Sequence, residues 1–316
     1  MSKIRAVVVD PNVLGRLVIS DVDAPTPAAN EAVIRVAAIS LNRGEVRRST
    51  TAEPGWRPGW DLAGVVETPA ADGSGLAAGT RVVGLLRSGA WGELVSVPTH
   101  SLAELPPSVS FAQAATLPVA GLTAYHVLLK GGSLLGRTVL ITGASGGVGN
   151  FAIQLARLSC AQVVAHIRRP EHESFVKDAG ANSVVIGEDL LPASQYAPYH
   201  LIVESVGGNT LGTALGLLAE DGTVVLFGTS GGNEVTFNAQ RFYGTGGASL
   251  YGLILFHELR RESAAVGLQR LLGLVETGQL RPPIEIEADW TQIADVAQKL
   301  LDRKYLGKAV LHLANL

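Results

Sequence analysis

The sequence predicts an α/β chain in two parts, a β-rich domain and a doubly wound parallel sheet interleaved with helices. Three observations carry this expectation. The residues Val139-Leu-Ile-Thr-Gly-Ala-Ser-Gly-Gly-Val-Gly-Asn-Phe151 run an apolar strand into a glycine turn and then a helix. Strand-like and helix-like segments alternate from about Gly121 to Tyr251, as a parallel sheet requires. Before them, residues 1–118 hold short apolar runs punctuated by Gly and Pro.

Taken in order, the runs Ala6–Val9, Glu31–Ile39, Leu62–Glu67, Arg81–Leu86 and Trp91–Val97 read as strands of a compact all-β barrel with turns. The parallel-sheet candidates are Thr138–Thr142, Gln162–Ile167, Ser183–Ile186, Leu201–Ser205 and Thr223–Gly228. Between them Phe151–Leu158, Glu171–Ala179 and Thr210–Leu218 carry helical signals. After Tyr251, Leu268, Leu271, Leu272 and Val275 fall on one helical face. A strand from Pro282 to Glu287, a helix near Ile293–Leu301 and a last strand at Ala309–Leu313 complete the chain.

A length of 316 residues suggests two domains, and a hydrophobic fraction of 47% is enough for a large core. The formal charge of −3 offers no general attraction to nucleic acid or to an anionic membrane. The single cysteine, Cys160, excludes a disulfide framework within the chain and points to a reducing compartment. The apolar run before Asp10 is too short for a signal-peptide core, and no 18-residue apolar stretch occurs. A cytoplasmic protein with a small-molecule partner, and with neither nucleic acid nor membrane, is expected.

The glycine turn is the strongest motif. In the Ala144, Gly146, Gly149 frame it reads as G-x-G-x-x-G with alanine in the first place. A helix N-terminus presents unpaired, positively polarised amides, and glycines let a pyrophosphate approach them. At the end of the next strand, where an NAD site usually holds an acid, stand Arg168 and Arg169. Two guanidiniums suit a 2′-phosphate, so NADPH is the expected cofactor. The alternative is a solvated loop with surface arginines.

On ordered landmarks the chain resembles the medium-chain dehydrogenase/reductase superfamily, and within it the zinc-free quinone oxidoreductases similar to zeta-crystallin. The landmarks are Leu41-Asn-Arg-Gly-Glu45, Pro58-Gly-Trp-Asp-Leu-Ala-Gly-Val-Val66, Gly79-Thr-Arg-Val-Val83, Gly89-Ala-Trp-Gly-Glu-Leu-Val95 and Gly121-Leu-Thr-Ala-Tyr125. They continue through the glycine turn to Leu201-Ile-Val-Glu-Ser-Val-Gly-Gly208, Asp221-Gly-Thr-Val-Val-Leu-Phe-Gly228 and Leu306-Gly-Lys308. The resemblance implies a GroES-like catalytic domain from residues 1–120 and 253–316, with a Rossmann domain at 121–252 and the active cleft where they meet. It implies cofactor contacts at Asn42, Thr123, Ser145, Gly146, Gly147, Val148, Arg168, Arg169, Val206, Phe227 and Gly228. It also implies a homodimer, built by pairing an apolar edge strand near Ala248–Ile254 across a two-fold axis.

No metal is expected. Zinc-dependent relatives need a four-cysteine structural site, which one cysteine cannot supply. Where they carry Gly-His-Glu this chain has Gly59-Trp60-Asp61, and Asn42 stands near the place of their first catalytic cysteine. Its seven histidines are scattered without ligand spacing. Without a Lewis acid, the remaining chemistry is hydride transfer to an already electrophilic acceptor, a quinone or a carbonyl-conjugated alkene. Asn42, Arg47 and Tyr251 are the candidate donors to the oxygen that gains charge. The alternative for Asn42 is a turn residue, and for Arg47 a solvated pair with Arg48. Trp56 and Trp60 are either a stacking wall or packing residues, with Phe242, Tyr243, Tyr251 and Phe256 as the opposite wall. The glycine-dense stretch 241–252 is either a lid or a subunit contact. Two departures from the family stand out. Ser49–Trp56 contains no tyrosine, which argues against a tyrosine-assisted enoyl-thioester reductase, and Val185-Ile-Gly187 replaces a tyrosine that often lies against the adenosine. The other functions left open are a tailoring enoyl or enone reductase of a specialised metabolite and an NADPH-binding sensor or structural protein without turnover.

Overall fold

Seven residues of alternating and then continuous apolar character make β1 (Lys3–Val9), which pairs antiparallel with β2 (Leu17–Asp23). β2 escapes sequence reading because it is mostly half-exposed and carries two acids. The longest strand, β3 (Glu31–Ser40), is followed by a short helix α1 (Arg43–Ser49) and by β4 (Asp61–Thr68), its antiparallel partner. Strands β5 (Arg81–Leu85), β6 (Leu94–Pro98) and β7 (Leu102–Glu104) follow. Helix α2 (Phe111–Ala115) starts at a capping box of Ser110 and Gln113 and runs into a π-helical turn at Leu117–Gly121. The computed structural model describes residues 2–13 and 15–313.

Helix α3 (Leu122–Leu129) leads to β8 (Thr138–Ile141), α4 (Gly147–Leu158), β9 (Gln162–Ile167), α5 (Glu173–Asp178) and β10 (Ser183–Ile186). Then come β11 (Tyr199–Glu204), α6 (Gly208–Leu215), β12 (Leu218–Leu226), α7 (Ala239–Gly244), β13 (Ser249–Gly252) and α8 (Leu255–Glu258). All pairings in this sheet are parallel, in the order β10-β9-β8-β11-β12-β13. That is the doubly wound order, with the topological switch between β8 and β11. Val139, Leu140, Ile141, Ile202 and Val203 are fully buried, as continuous apolar strands covered on both faces must be. One expected helix is shorter than the periodicity suggests: α6 ends at Leu215, where Gly216 caps it, and Leu218 already belongs to β12.

The chain then returns to the first sheet. Helix α9 (Ala264–Glu276) buries Leu268, Leu271, Leu272 and Val275, and β14 (Ile284–Asp289), α10 (Ile293–Leu301) and β15 (Lys308–His312) follow. β15 pairs antiparallel with β3, placing Val310 opposite Ser40, and parallel with β14. The seven strands run β14-β15-β3-β4-β5-β7, with β6 pairing antiparallel to Glu31–Arg35 in the first half of β3. Trp91 and Trp290 are the largest side chains buried in this core. The expectation of an all-β domain is corrected. Helices α1 and α2 lie in the N-terminal stretch, where α2 packs on β3 and β4, and α1 packs on α10 from the far end of the chain. The chain thus divides into one unit of Met1–Leu122 with Leu259–Leu316 and another of Thr123–Glu258.

Candidate active site

The glycine turn lies at the switch point. Gly143 has φ +56°, and a side chain there would collide with Ser205 Oγ. Gly149 packs its Cα face on the turn, where a Cβ would come within 2.5 Å of the Gly143 carbonyl. These two glycines therefore serve close packing, whereas Gly146 faces comparatively open space, with only the Gly143 carbonyl within 4 Å of an added Cβ. Gly146 caps α4, so the amides of Gly147 and Val148 stand in its first turn without an intrahelical partner. Ser145, Gly147 and Val148 are half-exposed, and Val206 and Gly228 come to the same carboxyl ends of β11 and β12. Phe227 is half-exposed, its N–H donating to the Glu204 carbonyl. Thr123 is buried on α3.

Glu204, which the sequence reading passed over, organises this end of the sheet. Its carboxylate accepts from the amides of Val206 at 2.8 Å and Gly207 at 2.9 Å and from Thr142 Oγ1 at 3.0 Å. Burial pushes its pKa up, and these donors oppose the shift. An acid closing an all-apolar strand, Leu201-Ile-Val-Glu204, is the sequence signal that marked it.

Arg168 and Arg169 are exposed at the end of β9. No acid stands at this strand end in sequence, but the fold brings Glu188 from the end of the neighbouring strand to 3.6 Å from Arg168. His166 is buried beside them, its Nε2 2.9 Å from the Gly187 carbonyl, and burial lowers its pKa.

In the first unit, Asn42 caps α1 and sits inside a buried polar cluster. Its Nδ2 donates to Asp61 Oδ2 at 2.7 Å and to Glu45 Oε1 at 2.9 Å, and its Oδ1 accepts from Lys308 Nζ at 2.7 Å. Asp61 also accepts from Ser40 Oγ and the Val119 amide. Burial, and then the Asp61 charge, hold the Glu45 carboxyl well above the usual carboxylate range, beside Asp61 and Lys308, which lie 3.4 Å apart. The second Glu45 oxygen is buried without a hydrogen-bond partner, a position far costlier for a charged carboxylate. This arrangement corrects Asn42 as a donor to substrate oxygen, because both its N–H bonds already point at carboxyls.

Tyr251 is corrected likewise. Its single O–H donates to Glu258 Oε1 at 2.5 Å, and Lys130 joins Glu258 Oε2 at 2.7 Å while lying 4.5 Å from the Tyr251 ring centre. Trp56 takes the packing alternative, set against the core with Arg48 over its ring at 4.9 Å. Phe242 packs edge-on against Phe237 beside the parallel-sheet core, so it is no wall. The stretch 241–252 is the end of a short helix, a glycine turn and an edge strand. Trp60 keeps its candidacy: it is half-exposed, its Nε1 donates to the Arg87 carbonyl at 3.0 Å, and its ring lies against Gly44. Arg47 is exposed one turn further along α1, on the face of Gly44. Phe256 is half-exposed on α8.

A parallel sheet with an open helix N-terminus at its switch point, in a chain that also carries a separate β-rich unit, defines a dinucleotide-dependent oxidoreductase. Family models agree on both units: "Alcohol dehydrogenase GroES-like domain" matches residues 28–107 and "Zinc-binding dehydrogenase" matches 147–270. A quinone oxidoreductase of Lama guanicoe is 30% identical over 306 residues, 92% of each chain. A chloroplast envelope quinone oxidoreductase homolog of Arabidopsis thaliana is 30% identical over 310 residues, again 92% of each. A mycobacterial protein solved in complex with NADPH superposes with a TM-score of 0.87 at 27% identity, covering 98% of this chain and 100% of its own. The chain belongs to the quinone oxidoreductase-like family of the medium-chain dehydrogenase/reductase superfamily. The zinc in the second model's description does not fit the residues here. Among the described residues no group of three or more His, Cys, Asp and Glu is arranged to hold a metal, and an amide and an indole stand at Asn42 and Trp60.

Proposed function

We propose that the protein is an NADPH-dependent reductase that passes hydride to a quinone or a carbonyl-conjugated alkene without a protein-bound metal. The open N-terminus of α4 beside the exposed arginines of β9 carries this reading. Ser145, Gly146 and the amides of Gly147 and Val148 would hold the pyrophosphate, and Arg168 and Arg169 the 2′-phosphate. Thr123, Val206, Phe227 and Gly228 would line the rest of the dinucleotide. When bound, NADPH supplies the hydride. The NADPH complex of the mycobacterial relative supports the choice of cofactor. A quinone or enone accepts hydride without a Lewis acid, so the protein's task is alignment, water exclusion and stabilisation of the charged oxygen. Arg47 offers that oxygen a guanidinium, and Trp60 offers a planar acceptor an aromatic face.

We further propose that the chain is a homodimer joined through β13 and works in the cytoplasm. An apolar edge strand and a single cysteine support this. Among the described residues no helix is long and apolar enough to cross a membrane.

The test is turnover. Protein dialysed against a strong chelator is mixed with NADPH and a panel of small quinones and enones, and oxidation is followed with product mass spectrometry. Steady oxidation with less than one zinc per chain is expected. Zinc lost together with activity would overturn the metal-free mechanism, and binding of NADPH without turnover would leave a sensor or structural protein.

A further inference from the structure

The buried cluster around Asn42 is an unusual place to put charge. Lys308 and Asp61 have side chains only 3% and 0% exposed, in a domain core that hydrophobic residues would fill at less cost. The Lys308 ammonium is held by three oxygens, the Leu41 carbonyl at 2.8 Å, Asn42 Oδ1 at 2.7 Å and Asp61 Oδ2 at 3.4 Å.

An ammonium only donates and a carboxylate only accepts. With the Lys308 ammonium on one side and the Asp61 carboxylate on the other, the Asn42 amide has one favoured orientation. Reversing it would set Nδ2 against the ammonium and Oδ1 against the Asp61 carboxylate. Asn42 is also the N-cap of α1, in extended backbone with φ −123° and ψ 142°, and its N–H donates to Glu45 Oε1 at 2.8 Å. The first residue of β15 thereby fixes the entry of a helix more than 250 residues earlier in the chain. That helix carries Arg47, and through Gly44 it seats the Trp60 ring.

We propose that Lys308 is a positioning residue of the reductase, which acts through the Asn42 amide to set the helix that presents Arg47 and seats Trp60 for the acceptor. This rests on the reading above that Arg47 and Trp60 serve the acceptor. Lys308 itself touches neither acceptor nor cofactor. Its removal leaves Asp61 as a buried carboxylate without its countercharge and takes away the donor to Asn42 Oδ1. The proposed phosphate contacts, the α4 N-terminus with Arg168 and Arg169, belong to the other unit, so cofactor affinity is a control that should not move.

The experiment compares Lys308→Met and Lys308→Arg with Arg47→Ala and Trp60→Phe in the full chain. Each is measured for NADPH Kd by fluorescence and for kcat and KM with a small benzoquinone, normalised to NADPH-binding sites. Lys308→Met should lower kcat/KM for the quinone by about tenfold or more per site, with NADPH Kd within about twofold. Lys308→Arg, which keeps the charge and the donors, should recover most of that loss. Unchanged kcat/KM per site in Lys308→Met, or equal loss in both Lys308 variants, would overturn the proposal. If Lys308→Met does not fold, Lys308→Met with Asp61→Asn removes both charges and reads the same kinetics. Wild-type kcat/KM in that double variant would also overturn it. Arg47→Ala and Trp60→Phe separate the two levels: unchanged quinone kinetics in both would overturn the acceptor reading itself, whatever Lys308 does.

Discussion

On the proposed reading Arg168 and Arg169 select the dinucleotide, since only NADPH offers the 2′-phosphate. Replacing both by Ala should weaken NADPH by about 10- to 100-fold and NADH by no more than about twofold, measured by titration of each cofactor. Equal weakening would show that the arginines do not read the phosphate. Arg168's ion pair with Glu188 is largely exposed, so its loss should scarcely change stability. Glu45 gives a second prediction. Its folded-state pKa is raised, so the folded protein keeps the proton as the unfolded chain releases it. Stability from this group is therefore complete below the ordinary carboxylate range and lost as pH rises toward the raised pKa. Glu45→Gln keeps the acceptor for Asn42 but cannot ionise, so its urea midpoint should fall less steeply than wild type as pH rises above the ordinary carboxylate range. A parallel decline in both proteins would mean that Glu45 is already charged. At this scale the sequence reveals residue types but not partners. Asn42 and Tyr251 look like free donors until the fold supplies Asp61, Glu45 and Glu258.

The glycine turn and α4 form one functional element, and their glycines are not equivalent. Gly149 cannot accept a side chain without moving the turn, whereas a Cβ at Gly146 makes only an ordinary contact at 3.4 Å. Gly146→Val should therefore leave the melting temperature nearly unchanged while weakening both NADPH and NADH by on the order of tenfold or more. Retained affinity, read by the same titration, would place the pyrophosphate elsewhere. Element lengths explain what sequence reading found and missed. Strongly periodic or continuously apolar stretches such as β9, β10 and α10 are found at their observed ends. β2, β7 and α1 are missed, because three to seven residues of mixed polarity give no period to detect.

For the whole molecule, the sheet order leaves β13 at an edge, with Leu250 exposed on it and Ile254 exposed just beyond it. An isologous dimer would pair these backbone groups and cover the side chains in one step. Sedimentation should give twice the chain mass, and Leu250→Lys should shift the protein toward monomer. A monomer mass that is unchanged as concentration rises would rule the dimer out. The first unit is also a whole-molecule property, because β15 pairs with β3 and Leu313 donates to the Ala37 carbonyl across most of the chain. A truncation before β15 should therefore destabilise the N-terminal sheet as well as the tail.

By itself the sequence determined the parallel sheet, its glycine turn, the arginine pair and the lack of metal-ligand spacing, because each depends on residues close together in the chain. Hydrophobic period, helix-start chemistry and charge sign are local, and physics reads them locally. Only the tertiary structure decided which polar residues are free to act. Lys308 and Asp61 meet Asn42, and Glu188 meets Arg168, through strand pairings that no local pattern encodes. A buried donor has a role only once its partners are known, and those partners are set by long-range packing.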